Sequence, residues 1–265
     1  MPQWSVLSRQ NHAQQHFRPR QGCLHAAEQI ITPVLHAELH KLVSQCVLGF
    51  VSTGDSYQLV ALLGVEQGKN LYINHDGRWL GSYVPANVRA YPFALSPAPD
   101  GQKVLCIDAE QLTQAPEGVA LFDEQEQPSE TVVKQLEFLQ QCDTDRQRTQ
   151  AAVDALQQAN VLQPWPLELP GSDGEPIRMG GFYRVDEARL NALNAEQYAR
   201  LQGPAMAIVH AHFFSCSQLH QLTERLKHHS RQEQLSQSKT EVEQQASQNL
   251  DALFGSQDDT LKFDF

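Results

Sequence analysis

The spacing of apolar positions changes period several times along this chain, and each change marks an element. Leu35, Leu39, Leu42 and Cys46 recur at helical intervals after Thr32-Pro33. Thr32 can cap a helix and Pro33 suits its first position, where a missing N–H costs nothing, so the spacing predicts a helix over Pro33–Gln45. Two aliphatic runs follow, CVLGFVS at 46–52 and QLVALLGV at 58–65, joined by the turn-forming Thr53-Gly54-Asp55-Ser56. Their length and β-branched content predict an antiparallel strand pair. Leu71–Ile73 and Arg78–Leu80 flank Asn74-His75-Asp76-Gly77, where Asp-Gly supplies the positive φ of a hairpin. Pro85 is expected to open a short helix over Ala86–Ala90, and Pro92 to end it by disfavouring the α region at Tyr91. VLCID at 104–108 is a further strand.

The second half reads mainly as helix. Ser129 precedes Glu130 and an apolar stripe of Val132, Leu136, Leu139 and Cys142, then Val153 and Leu156, which predicts one or two amphipathic helices up to Asn160. Trp165–Leu169 and Ile177–Val185 bracket a Pro- and Gly-bearing turn and predict a hairpin. Short helices are expected from Asp186 and from Asn194, which has capping-box spacing to Gln197, and Gly203-Pro204 should end one helix and open another. In that last helix Ala205, Ile208, His212, Ser215, Leu219, Leu222 and Leu226 share one stripe. The fold class is therefore α+β, with a mainly antiparallel sheet in the N-terminal half and a helix-rich C-terminal half. Residues 1–30 show no period and read as a loosely ordered arm, although Gln, His and Arg cluster over Arg9–Arg20. The α+β domain is expected over 31–227. Residues 228–250, rich in Gln, Ser, Glu and Lys, read as a linker or a solvated helix end, and 251–265 as an acidic-aromatic tail.

Composition narrows the possible partners. A chain of 265 residues with 41% hydrophobic residues can bury a substantial core. The formal net charge of −11, from 31 acidic against 20 basic residues, repels polyphosphates and argues against a nucleic-acid partner. Cys23, Cys46, Cys106, Cys142 and Cys216 are odd in number and form no C-x-x-C pair, which fits reduced thiols better than disulfides or a zinc ribbon. Neither a signal peptide nor a membrane span is evident, so a cytoplasmic location is expected.

The stretch GRWLGSYVPANVRAYPF at 77–93 is the densest in candidate chemistry, with Arg78, Trp79, Tyr83, Arg89, Tyr91 and Phe93 held between Pro85 and Pro92. Aromatic and Arg side chains anchor binding surfaces, so the block is expected to form a pocket in which Arg78 or Arg89 pairs with a carboxylate between walls of Trp79, Tyr83 and Tyr91. The competing reading packs the same aromatics into the core. His212, placed on the apolar stripe beside Ser215, is a further candidate, as a ligand contact or as the base of an enzyme that modifies an amino acid or peptide. No catalytic residue is assigned. His36 and His40 stand four apart, but the pattern is not H-E-x-x-H, so no metal site is expected, and no cofactor either. Leu261, Phe263 and Phe265 alternate with acids and are expected either to dock on a partner or to fold back on the domain.

From about Gly22 to Lys227 the chain resembles the bacterial SapC family, on LVALLGV at 59–65, the block at 77–93, VLCID at 104–108, GFYRVDEARLNAL at 181–193 and AHFFS at 211–215. The family is named for a surface-layer-associated protein. The resemblance implies an accessory role linked to surface-layer or nutrient-uptake systems, and the block at 77–93 adds the expectation of a non-catalytic protein that binds a peptide, a small carboxylate-bearing ligand or a partner protein.

Overall fold

The computed structural model describes residues 2–115, 117–171 and 175–254, except for the side chains of 236–237 and 239–254. Strands β1 (Trp4–Val6) and β2 (His16–Phe17) flank helix α1 (Arg9–His12), and β3 (Ile31–Pro33) and α2 (Leu39–Leu42) lead into β4 (Val47–Ser52) and β5 (Tyr57–Leu62). Helix α3 (Ala86–Arg89) precedes β6 (Phe93–Pro97), β7 (Lys103–Asp108), β8 (Leu112–Thr113) and β9 (Val119–Ala120). The long α4 (Glu130–Gln158) carries the chain to β10 (Leu162–Pro164), β11 (Leu167–Pro170), β12 (Pro176–Met179) and β13 (Phe182–Val185). Helices α5 (Glu187–Asn191), α6 (Ala195–Ala199), α7 (Pro204–Ser215) and α8 (Leu219–Phe254) follow. The architecture is α+β, built on antiparallel sheets.

The main sheet has the order β10-β13-β4-β5-β3, and α4 and α7 lie side by side against it. The two aliphatic runs pair as expected, Val47 opposite Leu62 through Ser52 opposite Tyr57, and Leu48, Phe50, Leu62, Leu156 and Ile208 are among the residues of the core between sheet and helices. A second core, including Phe17, Phe93, Ile107, Leu121 and Phe122, lies at the β1-β7-β6 and β8-β2-β9 sheets. Helix α4 serves both cores, with Val132 and Leu139 in the second and Ala152, Val153 and Leu156 in the first. Local sequence grammar holds at its start, where Ser129 Oγ accepts from the Val132 N–H, and at α5 and α6, where Asp186 and Asn194 cap their helices.

Three expectations are corrected. The helix over Pro33–Gln45 is largely replaced: Thr32 and Pro33 belong to β3, an edge strand where proline's missing donor is tolerated, and the chain then makes a 3-10 turn at His36–Glu38 before the single turn of α2. The apolar spacing was nonetheless meaningful, because Leu35, Leu39, Leu42 and Cys46 are all buried. The first thirty residues are no loose arm: Trp4 to Val6 pair with Asp108 to Cys106, and His16 and Phe17 pair with both β8 and β9. The run 177–185 divides at Gly180-Gly181, where Gly181 has φ +82°, so β12 closes the hairpin with β11 while β13 joins the main sheet. Of the two readings of the polar segment 228–250, linker or helix end, the helix is present: the segment lies within α8, as its Gln-, Glu- and Lys-rich composition favours, and its base is tied down where His229 meets the Leu71 carbonyl and Lys69 pairs with Glu233 at 2.8 Å. Leu261, Phe263 and Phe265 lie outside the described residues. No helix among the described residues is long and apolar enough to cross a membrane.

Candidate functional site

The side chains of the 77–93 block do not converge on one pocket. Arg78 is exposed, and its backbone N–H closes the hairpin turn on Asn74 Oδ1 at 2.7 Å. Trp79 is 8% exposed and stacks on Tyr72 within the main core. Tyr83 and Arg89 turn together towards α4, Tyr91 turns the other way, and Phe93 fills the second core. Helix α3 explains the division: from the Pro85 cap it presents Arg89 to α4, and the Pro92 stop releases Tyr91 to stack on His25.

Tyr83 and Arg89 meet a carboxylate that belongs to the protein itself. Glu38, 3% exposed, accepts from the Ala86 N–H at 2.9 Å, from the Leu35 N–H and from the Tyr83 hydroxyl, which in turn accepts from Arg89 Nη2 at 2.7 Å. Arg89 also donates Nε–H to the Val84 carbonyl and lies over the Phe138 ring. Burial raises the Glu38 carboxyl above its ordinary value, while its donors and Arg89 oppose the shift. The neighbouring cavity is about 170 Å³, and every polar atom of Glu38 is engaged in holding α3 against the 3-10 turn. This is a structural junction.

His212 lies in the core, 1% exposed, among Phe50, Trp165 and Phe213. Nε2 accepts from the Val185 N–H at 3.3 Å, which assigns the proton to Nδ1, and Nδ1–H donates to the Leu48 carbonyl at 2.8 Å. Ser215 Oγ accepts from the Leu48 N–H at 2.9 Å. These two α7 side chains complete the backbone of β4 at Leu48, beyond the register in which β13 pairs with Val51 and Phe50. Desolvation lowers the imidazole from 6.5 to about 4, so it is neutral at pH 7 with both nitrogens occupied. It has no nitrogen free for a substrate.

A cleft of about 530 Å³ opens where the N-terminal segment crosses the block. Arg18, Arg20, His25 and Tyr91 line it, with Gln111 and Thr113 behind and Glu117 at the rim. Two glycines make the crossing possible. The Cys23 N–H donates to the Gly77 carbonyl at 2.7 Å, and a side chain at Gly22, whose φ is +138°, would lie 2.9 Å from that oxygen. Arg20 is set by its own loop, donating Nη1–H to the Gly22 carbonyl at 3.0 Å and to Cys23 Sγ. Neither Arg18 nor Arg20 forms an ion pair among the described residues.

His25 and Tyr91 stack face to face in the cleft wall, with centroids 4.1 Å apart and planes 5° from parallel. His25 Nε2 meets the Val88 carbonyl at 3.0 Å, which makes Nε2 the donor and leaves Nδ1 as an acceptor. Desolvation lowers His25, with Arg20 nearby adding to the effect. Tyr91 donates to Asp108 Oδ2 at 2.7 Å, and burial together with that carboxylate pushes its phenol up to about 12. Asp108 is otherwise occupied by the Gln3 and Glu110 N–H groups. Of the expected site residues only Tyr91 reaches this cleft. Arg18, Arg20 and His25 were missed because they lie in the segment without a period, and the Arg cluster around Pro19 was the one signal that could have found them.

No curated protein and no solved structure matches the chain. A family model described as SapC matches residues 7–222, a span that includes Arg18, Arg20 and the N-terminal strand β2 as well as the 77–93 block. That match covers most of the sequence, and the chain belongs to the SapC family.

Proposed function

We propose that this protein is a binding protein for a small carboxylate-bearing ligand, held in the cleft of Arg18, Arg20, His25 and Tyr91. The observation that carries the reading is the pair of arginines in one concave site with no carboxylate on either among the described residues, in a chain whose acids outnumber its bases. Arginine presents a planar fork that matches a carboxylate, and a cleft of about 530 Å³ lies within the usual range for small ligands. Glu117 at the rim offsets one of the two positive charges, so the site favours a monoanion over a phosphate. Of the three expected partner classes, a peptide, a small carboxylate and a partner protein, the concave shape supports the small carboxylate best. The reading is of a non-catalytic role, in which Tyr91 keeps its proton on Asp108 and His25 donates Nε2–H to Val88 as fixed parts of the cleft wall.

Calorimetric titration with butyrate, butyramide and inorganic phosphate at fixed ionic strength tests the reading. Butyrate should bind more tightly than either. Arg18 is exposed, so Arg18→Ala should weaken it by about 2- to 5-fold, the range for losing a solvent-exposed ion pair. Equal binding of butyrate and butyramide, or an unchanged affinity in Arg18→Ala, would refute it.

A further inference from the structure

A second cavity, about 220 Å³, shares His25 and Tyr91 with the large cleft, so the stacked rings form the partition between the two. Pro33, Leu35, Ala86, Phe93, Leu95 and Leu139 form an apolar part of its wall, beside the polar Gln29 and Asn87. The cation that reaches it, Arg146, is paired with Asp143, which also receives Lys103. Among the described residues an anionic group therefore has no unpaired cation on this side, while Arg18, which forms no ion pair among them, lies on the other. The partition itself carries no charge at pH 7, because burial disfavours the imidazolium of His25 and the Tyr91 phenol keeps its proton on Asp108. Passage past it strips no ion.

Trp4 supplies an independent indication. It borders the small cavity at the end of β1, opposite Asp108, yet it is 46% exposed, whereas Trp79 and Trp165 are 8% and 7% exposed. An indole left half in water beside an apolar cavity gains burial when a hydrocarbon group fills the space below it.

We propose that the two cavities form one bipartite site for an amphipathic carboxylate, with its head on Arg18 and Arg20 and its hydrocarbon tail lodged under Trp4 beyond the edge of the His25–Tyr91 stack. This rests on the carboxylate reading of the large cleft and adds the class of ligand, a medium-chain carboxylic acid. Lengthening the tail buries methylenes in the small cavity, and each adds about fourfold in affinity until the space is full.

The test uses the full chain and the series butyrate, hexanoate and octanoate, with hexanamide as the uncharged control, followed by calorimetry and by tryptophan emission. Affinity should rise about fourfold per methylene between butyrate and hexanoate, and emission should shift to the blue, a shift that Trp4→Phe abolishes. Ala94→Phe, which places a ring in the small cavity, should flatten the chain-length series. If that variant does not fold, Trp4→Ala should instead lower the gain per methylene. Preference for carboxylate with no dependence on chain length overturns this inference and leaves the carboxylate reading standing. Equal affinity for hexanoate and hexanamide overturns both. A chain-length series that survives Ala94→Phe puts the tail elsewhere and overturns the bipartite site.

Discussion

His212→Ala is expected to be among the most destabilising single substitutions in this chain, costing about 4 kcal/mol or more, a large part of the ~5–15 kcal/mol that holds a typical domain together. The change removes the donor from the Leu48 carbonyl and the acceptor from the Val185 N–H, both buried, and leaves a void between Phe50 and Trp165. Urea denaturation at pH 7 measures it. Loss of under 1 kcal/mol would show that water or a shift of α7 replaces the ring. The wild type should also carry a specific pH signature. Below 6.5 the unfolded chain takes up a proton on His212, whereas the folded protein does not until about 4. This contribution is complete above 6.5, is lost as the pH falls from 6.5 to about 4, and totals about 3 kcal/mol. His212→Gln can keep the donor and the acceptor without titrating, so it should flatten that stretch of the curve.

Glu38→Ala is expected to cost about 3 kcal/mol, because it leaves the Ala86 and Leu35 N–H groups and the Tyr83 hydroxyl without their acceptor and strands Arg89 over Phe138. Its pH dependence has the opposite sign to that of His212. The folded carboxyl holds its proton to a higher pH than the unfolded value of 4.5, so this contribution favours folding at low pH and declines as pH rises past 4.5 through the raised value. Denaturation curves of wild type and Glu38→Gln between pH 4 and 7 separate the two effects. The wild type should lose stability relative to Glu38→Gln as pH rises. A difference that stays constant, or that changes in the other direction, would contradict a raised Glu38.

Elements set by adjacent residues were legible in the sequence. The pairing of 46–52 with 58–65, the Asn74–Gly77 turn and the caps at Ser129, Asp186 and Asn194 each depend on a few neighbouring side chains, and all are present. Features fixed by distant contacts were not. Whether Thr32-Pro33 opens a helix or ends an edge strand is decided by Ala61 and Val60 across the sheet, and the 3-10 turn that follows is fastened by Thr149 and Asp145 of α4. The candidate site shows the same limit. The 77–93 block announced rigid aromatic and Arg side chains, but they go to solvent, the two cores, the Glu38 junction and the cleft, and the arginines of the cleft come from a segment whose polarity resembled disorder. Residues that line a wet cleft have no apolar period to display.

The position of β4 between β5 and β13 has a consequence for synthesis on the ribosome. Strand β5 follows β4 at once, but Val51 and Phe50 gain their partners in β13 only after about 130 further residues, roughly 7 to 26 s at common elongation rates. His212 and Ser215, which complete Leu48, emerge later still. Throughout that interval the nascent chain carries an aliphatic strand with one bare edge, a template for pairing with other chains. Chains stalled before Phe182 are therefore the aggregation-prone species, and a chaperone that covers strand edges has a defined window in which to act.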